Sequence, residues 1–163
     1  MKKLLLVLTS LYIGSKALAQ KTVRHSVAPN AYPYVAQLLS KMTLEEKVGQ
    51  LRCTLAWNYC ERKGNDVVLT PLFEKEVLQE GVGNLWATFR ADPWTQRSLD
   101  NGLGPKLSAR AANKMQRVVR EKTRLGIPLF FAEEAPHGHM AIGSTVFPTG
   151  FGMAATWDAP LMH

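Results

Sequence analysis

Apolar and polar positions along the chain switch between a helical and an extended period. Val35, Leu38, Leu39 and Met42 recur at helical spacing. Thr43-Leu44-Glu45-Glu46 then reads as a capping box, in which Thr43 caps the Glu46 amide and the Glu46 carboxylate reaches back. The helix it opens, 44–50, is expected to bury Leu44, Val48 and Leu51. Leu51 to Trp57 tolerates an extended conformation and predicts a first strand. Thr70 and Pro71 open another helix, because proline at the first helical position lacks only an N–H that would be unpaired anyway. That helix runs to about Glu80 and stops at Gly81. Val82 to Thr88 suits a second strand. Pro93 and Pro105, with Gly102 and Gly104, mark a long loop over 89–107, and long loops in compact domains are often functional. Ser108 to Thr123 carries the clearest helical stripe: Ala111, Ala112, Met115, Val118 and Val119 on one side, basic residues on the other. Gly126 ends it and Pro128 prevents its continuation. Leu129 to Ala132 is a continuous apolar run, as in a parallel strand covered on both faces.

Strands alternating with helices predict an α/β architecture with parallel strands. In such folds ligands meet the carboxyl ends of strands. A polar cluster, Glu133, Glu134, His137 and His139, follows the last strand at that end. Neighbouring strand residues point to opposite faces, so one glutamate is expected to face the site and the other to support it from behind. A salt-bridged structural carboxylate is the competing reading for either. His137 and His139 also permit zinc ligation through imidazole nitrogens. Against that, Pro136 and Gly138 suggest a turn that splays the rings, and too few carboxylates stand near to complete the shell.

The N-terminus changes what the composition means. Lys2 and Lys3 precede an apolar run from Leu4 to Ile13, and Ala17-Leu18-Ala19 supplies small residues at a cleavage site, so residues 1–19 read as a secretory signal peptide. Ten residues are too few for a membrane span, which needs about 20. Residues 20–34 read as a flexible lead-in, and secretion or export to a periplasm follows. Removing the leader takes three of the 20 basic residues, leaving 17 against 13 acidic and a net charge of +4. Arg110, Lys114, Arg117, Arg120, Lys122 and Arg124 cluster on or just after one helix. They read as a solvated face, without the interleaved aromatics that nucleic-acid binding wants. Cys53 and Cys60 either pair or leave a buried free thiol at Cys53.

A longer pattern surrounds the polar cluster. RLGIPLFFAEEAPHGHMAIGSTVFPTGFGMAATWDAPLM resembles the N-terminal part of glycoside hydrolase family 3. The matching pieces are Arg124 to Pro128, Glu134, His137-Gly138, Thr145 to Pro148 and Ala155 to Leu161. Upstream, Leu39 to Leu51 (LSKMTLEEKVGQL) matches that family's opening motif. Together they span about residues 35 to 162.

The resemblance implies an exo-acting, retaining β-glycosidase, β-glucosidase-like or β-xylosidase-like, working on oligosaccharides or β-glycosides without a cofactor. It implies a (β/α)8 barrel, of which residues 35–163 are an incomplete N-terminal portion, since a full barrel takes about 250 residues. It assigns Glu134 to binding hydroxyls of the terminal sugar, where the family most often has Asp, with Glu133, His137 and His139 supporting the site. The nucleophile, an Asp in an S-D-W motif, and the acid/base fall outside this chain, so the chain alone is expected to be inactive. Adjacent strand positions also make Glu133 and Glu134 a poor candidate for the opposed carboxylates of retaining hydrolysis, which stand about 5–5.5 Å apart. Two competitors belong to other classes: a zinc-dependent barrel hydrolase using His137 and His139, and a non-catalytic carbohydrate-binding module using Trp86 and Trp94.

Overall fold

The computed structural model of the protein describes residues 33–162. The leader expected over 1–19, and the lead-in up to residue 32, lie outside them. The chain divides into two units, residues 1–41 and 42–163. The described part of the first is one helix, α1 (Pro33–Lys41), none of whose residues is buried.

The second unit begins with α2 (Leu44–Leu51), opened by the capping box. Thr43 N–H donates to Glu46 Oε2 at 2.9 Å, and Glu46 N–H to Thr43 Oγ1 at 3.2 Å. The expected apolar face of this helix is not the buried one. Leu44, Val48 and Leu51 are 71%, 51% and 85% exposed, while Gly49 is buried. Backbone approach explains it. Gly83 N–H donates to the Gly49 carbonyl at 3.0 Å, and a Cβ at position 49 would stand 2.2 Å from the Gly81 oxygen. A residue without a side chain lets the helix close on the connection into the sheet.

Strand β1 (Cys53–Leu55) follows, then a hairpin of β2 (Cys60–Lys63) and β3 (Asp66–Leu69). Thr70 caps α3 (Pro71–Phe73), its Oγ1 accepting from Phe73 N–H, and the helix widens into a π-helical turn over Glu74–Gln79. After Gly81 comes β4 (Asn84–Trp86), then the long loop, then α4 (Pro105–Lys122) and β5 (Phe130–Ala132). Helix α4 starts three residues before the expected Ser108, because Pro105 occupies its first turn behind Gly104. A short α5 (Gly150–Ala154) and a 3-10 turn at Pro160–Met162 complete the described chain.

The central sheet is parallel, in the order β1-β4-β5, with Thr54, Leu85 and Phe131 in register across it. The mixed α/β architecture with a parallel sheet is therefore present. Ala111, Met115 and Val119 of α4 are buried in one cluster with Leu85, Val67, Phe73 and Val77, so the α4 stripe does pack as its period predicts. Tyr59 is also fully buried in that cluster. Its hydroxyl donates to the Glu76 carboxylate and shares a 2.6 Å hydrogen bond with Thr54 Oγ1.

Three local readings need correction. The basic face of α4 is not wholly solvated: Arg110 donates to the Asn65 carbonyl at 2.6 Å and Lys114 to the Val67 carbonyl at 2.7 Å, tying the helix to the hairpin. Strand β5 is not covered on both faces, since Phe130 on this edge strand is 66% exposed. Both cysteines are free, Cys53 exposed and Cys60 buried, so they neither pair nor leave a buried thiol at Cys53. Desolvation pushes the Cys60 thiol up to about 11, partly offset by the charge of Arg97. Among the described residues no helix is long and apolar enough to cross a membrane.

Candidate active site

The three parallel strands end together at Leu55, Trp86 and Ala132, so the loops that follow them gather at one edge. After β4 the chain reverses at Ala87, which adopts a left-handed φ of 57°. Such a conformation is uncommon for a residue with a Cβ and clusters at functional sites. The turn brings Arg90 N–H to the Ala87 carbonyl at 3.4 Å, and Ala91 N–H then donates to the Met140 carbonyl at 2.8 Å. The loop after β4 is thus fastened to the loop after β5.

Strand β5 stops at Ala132, so the alternation expected to separate Glu133 from Glu134 does not carry through them. Both border one small cleft with Ala87, Arg90, His139 and Met140. Their partners differ. Glu133 accepts from Phe89 N–H through Oε1 at 3.1 Å, and its Oε2 stands 3.2 Å from His139 Nε2. That approach is within ion-pair range for a protonated imidazole but off hydrogen-bond geometry. His139 Nε2 is therefore buried without a hydrogen-bond partner among the described residues, as is His137 Nδ1. Glu134 has a 53% exposed side chain and accepts from Arg90 through Oε2 at 3.2 Å. Its Oε1 has no donor among the described residues.

The turn expected around Gly138 is present. Gly138 has φ 91°, and a Cβ there would lie 2.1 Å from the Thr145 carbonyl oxygen. Phe147 N–H donates to the His137 carbonyl at 2.6 Å, closing the loop that carries both histidines. Among the described residues no three His, Cys, Asp or Glu side chains stand together as a metal-ligand set. His137 and His139 therefore do not share a third such side chain among the described residues.

Arg90, Asp92 and Trp94 were not singled out as a cluster by sequence reasoning, although they lie in the loop marked as functional. Arg90 Nε donates to Asp92 Oδ2 at 2.7 Å, and its guanidinium lies 4.8 Å from the Trp94 ring centroid. Desolvation raises the Asp92 pKa, but hydrogen bonds from Thr95 N–H and Arg90 outweigh it and hold the carboxyl below its ordinary range. Trp94 meets Trp57 and Trp86 with centroids 4.7 and 6.3 Å away. The pairing of Trp86 with Trp94 fits packing of the strand end as well as sugar stacking.

Residues 43–163 match the family model described as the glycosyl hydrolase family 3 N-terminal domain. The chain belongs to glycosyl hydrolase family 3. It is similar to a periplasmic beta-glucosidase of Salmonella typhimurium, 30% identical over 137 residues that cover 82% of this chain and 14% of that protein. It is likewise similar to a putative beta-xylosidase of Formosa agariphila, 30% identical over 129 residues, 79% of this chain and 16% of that protein. This family 3 chain therefore spans about one sixth or less of the relatives it matches.

Another cavity among the described residues of the family 3 chain lies elsewhere. About 250 Å³ in volume, it is lined by Glu46, Gln50, Gly81, Val82, Arg124 and Leu129 among others. Those residues precede the strands rather than follow them, which is the end of a parallel α/β sheet that serves stability rather than chemistry.

Proposed function

We propose that this chain is the N-terminal portion of an exported, exo-acting, retaining β-glycosidase that removes terminal β-linked sugars, with Glu134 binding hydroxyls of the sugar. What supports the reading is Glu134: it lies just past the carboxyl end of β5, at the position to which the family resemblance assigns sugar binding, and one of its oxygens has no donor among the described residues. An ionised carboxylate is a strong acceptor for a sugar O–H. Glu133 and His139, whose Oε2 and Nε2 stand 3.2 Å apart, support the site from beside it, and His137 does so through the closed turn. The barrel is completed, and the nucleophile and acid/base supplied, by chain beyond these residues. No cofactor is required. Export rests on the leader pattern at 1–19 and on the periplasmic relative.

A β-glucosidase is the leading reading and a β-xylosidase the second. Glu134 favours the second because its extra methylene, relative to the family's usual Asp, crowds the space a C6 hydroxymethyl group would occupy. Turnover of aryl β-glucosides and β-xylosides by the full-length enzyme and its Glu134→Asp variant tests both levels. Glycosidase activity with a ratio moving toward glucosides in the variant is expected. An unchanged ratio sinks the pentoside preference, and no turnover of either sinks the enzyme reading. Residues 20–163 made alone are expected to be unstable or aggregating and to show no turnover, since an exposed sheet edge and a partial core remain uncovered. A monomeric, cooperative unfolding transition of that chain would contradict this.

A further inference from the structure

We propose that Arg90 is a positioning residue for the sugar site, fixed by its own loop so that it sets where the Glu134 carboxylate stands. The proposal deepens the functional reading above and rests on it. Arg90 is held from two sides within five residues of chain. Its Nε bonds Asp92 Oδ2 at 2.7 Å, with the two side chains only 18% and 6% exposed. Its Cζ lies over the Trp94 ring, 4.8 Å from the centroid. Asp92 is held in turn by Thr95, whose N–H donates to Oδ1 at 2.9 Å while Asp92 N–H donates to Thr95 Oγ1 at 3.1 Å. The arginine is therefore ordered before Glu134, 44 residues away, meets it.

Glu134 is the looser partner. Its side chain is 53% exposed, against 18% for Arg90. An ion pair this open adds little to stability, but it restricts the carboxylate. A planar guanidinium fixed at Nε and over its face leaves its outer N–H groups pointing one way, a geometry lysine does not reproduce. With Oε2 engaged at 3.2 Å, the other oxygen of Glu134, which has no donor among the described residues, is held in a set orientation. Removing rotamer freedom from a ligand-binding group before the ligand arrives improves binding without a new contact.

The rival explanation is that Arg90 merely staples two loops together. A double-mutant cycle in the full-length enzyme separates them, with kcat and KM measured for an aryl β-glycoside that the parent turns over. Arg90→Ala is expected to lower kcat/KM about tenfold, mainly through KM, the scale of one oriented charge-assisted contact. In the Glu134→Gln background the same substitution is expected to cost less than about twofold, because the charge it orients is gone. Arg90→Lys is expected to restore only part of the loss, and it carries the same cycle if Arg90→Ala does not fold. Equal losses in both backgrounds, or full rescue by lysine, overturn the proposal and leave Arg90 a staple. A parent enzyme with no glycosidase activity sinks the functional reading, and this inference with it.

Discussion

The chain carries two Glu-Glu pairs, one near each end of the same parallel sheet, and each is met by an arginine. Glu46, before the sheet, is used up by structure. It closes the α2 capping box and accepts from Arg124 Nε through Oε1 at 2.9 Å, with Oε2 also bonded to Arg124. This contact joins the two sequence motifs that carry the family resemblance, MTLEEK and RLGIP. Glu134, past the end of β5, engages Arg90 through one oxygen and keeps the other without a donor among the described residues. Two adjacent carboxylates and an arginine are thus not a functional signature. What separates the pairs is the end of the sheet they occupy, and whether the carboxylate has acceptor capacity left over.

The largest expected effect breaks or sharpens this contrast directly. In the full-length enzyme, Glu134→Ala should lower kcat/KM for an aryl β-glycoside by about 100-fold, on the scale of a charged group removed from a binding site. Glu46→Ala should change it less than about twofold while lowering the melting temperature, as loss of a surface pair and cap does. Comparable losses of kcat/KM from both would erase the distinction between the two ends.

Glycines test the same contrast with a smaller effect. Gly49 lets α2 approach the sheet before its strands, and Gly138 folds the histidine loop after them. A methyl group at Gly138 meets the Thr145 oxygen at 2.1 Å on a backbone with φ 91°. Gly138→Ala should therefore cost about 3 kcal/mol, combining overpacking with left-handed strain, and should reduce activity as well. Gly49→Ala meets the Gly81 oxygen at 2.2 Å but sits at helical dihedrals, so about 2 kcal/mol of stability is expected without loss of kcat. Thermal melts and kinetics on both variants check it. Loss of kcat in Gly49→Ala at a temperature where it stays folded would contradict the assignment of that end to structure.

Much of this was legible in the chain, and the parts that were not share a cause. Caps and stops are local chemistry, so Thr43, Thr70 and Gly81 announced themselves. The α4 stripe was legible because Ala111, Met115 and Val119 all face one core. Leu44, Val48 and Leu51 failed because periodicity says which residues share a face, not which face meets the sheet. There the absence of a side chain at Gly49 outweighed three apolar ones. The β2–β3 hairpin went unread because Cys60 to Lys63 lacks apolar alternation, although Gly64-Asn65 is a two-residue turn signal. Glu133 and Glu134 were found as a cluster, but their convergence on one cleft depends on β5 ending one residue before them. Arg90 needed a partner 44 residues away, which no local pattern supplies.

The smallest expected effect is a pH dependence at the structural end. Hydrogen bonds from Arg124, then from Thr43 N–H, hold the Glu46 carboxyl below its ordinary value. A carboxylate whose pKa is depressed on folding stabilises the fold fully above its unfolded value, about 4.3 for Glu. That contribution is lost as pH falls through the lower folded value, because the unfolded state then binds the proton more readily. The difference in melting temperature between the parent and Glu46→Gln should therefore be constant from neutral pH down to about 5. It should shrink below that, with the variant's own acid sensitivity reduced. Added salt should narrow the gap at neutral pH, since both partners are partly exposed. A gap that widens on acidification would mean that the Arg124 contact does not favour the charged form, and the structural assignment of this Glu-Arg pair would fall with it.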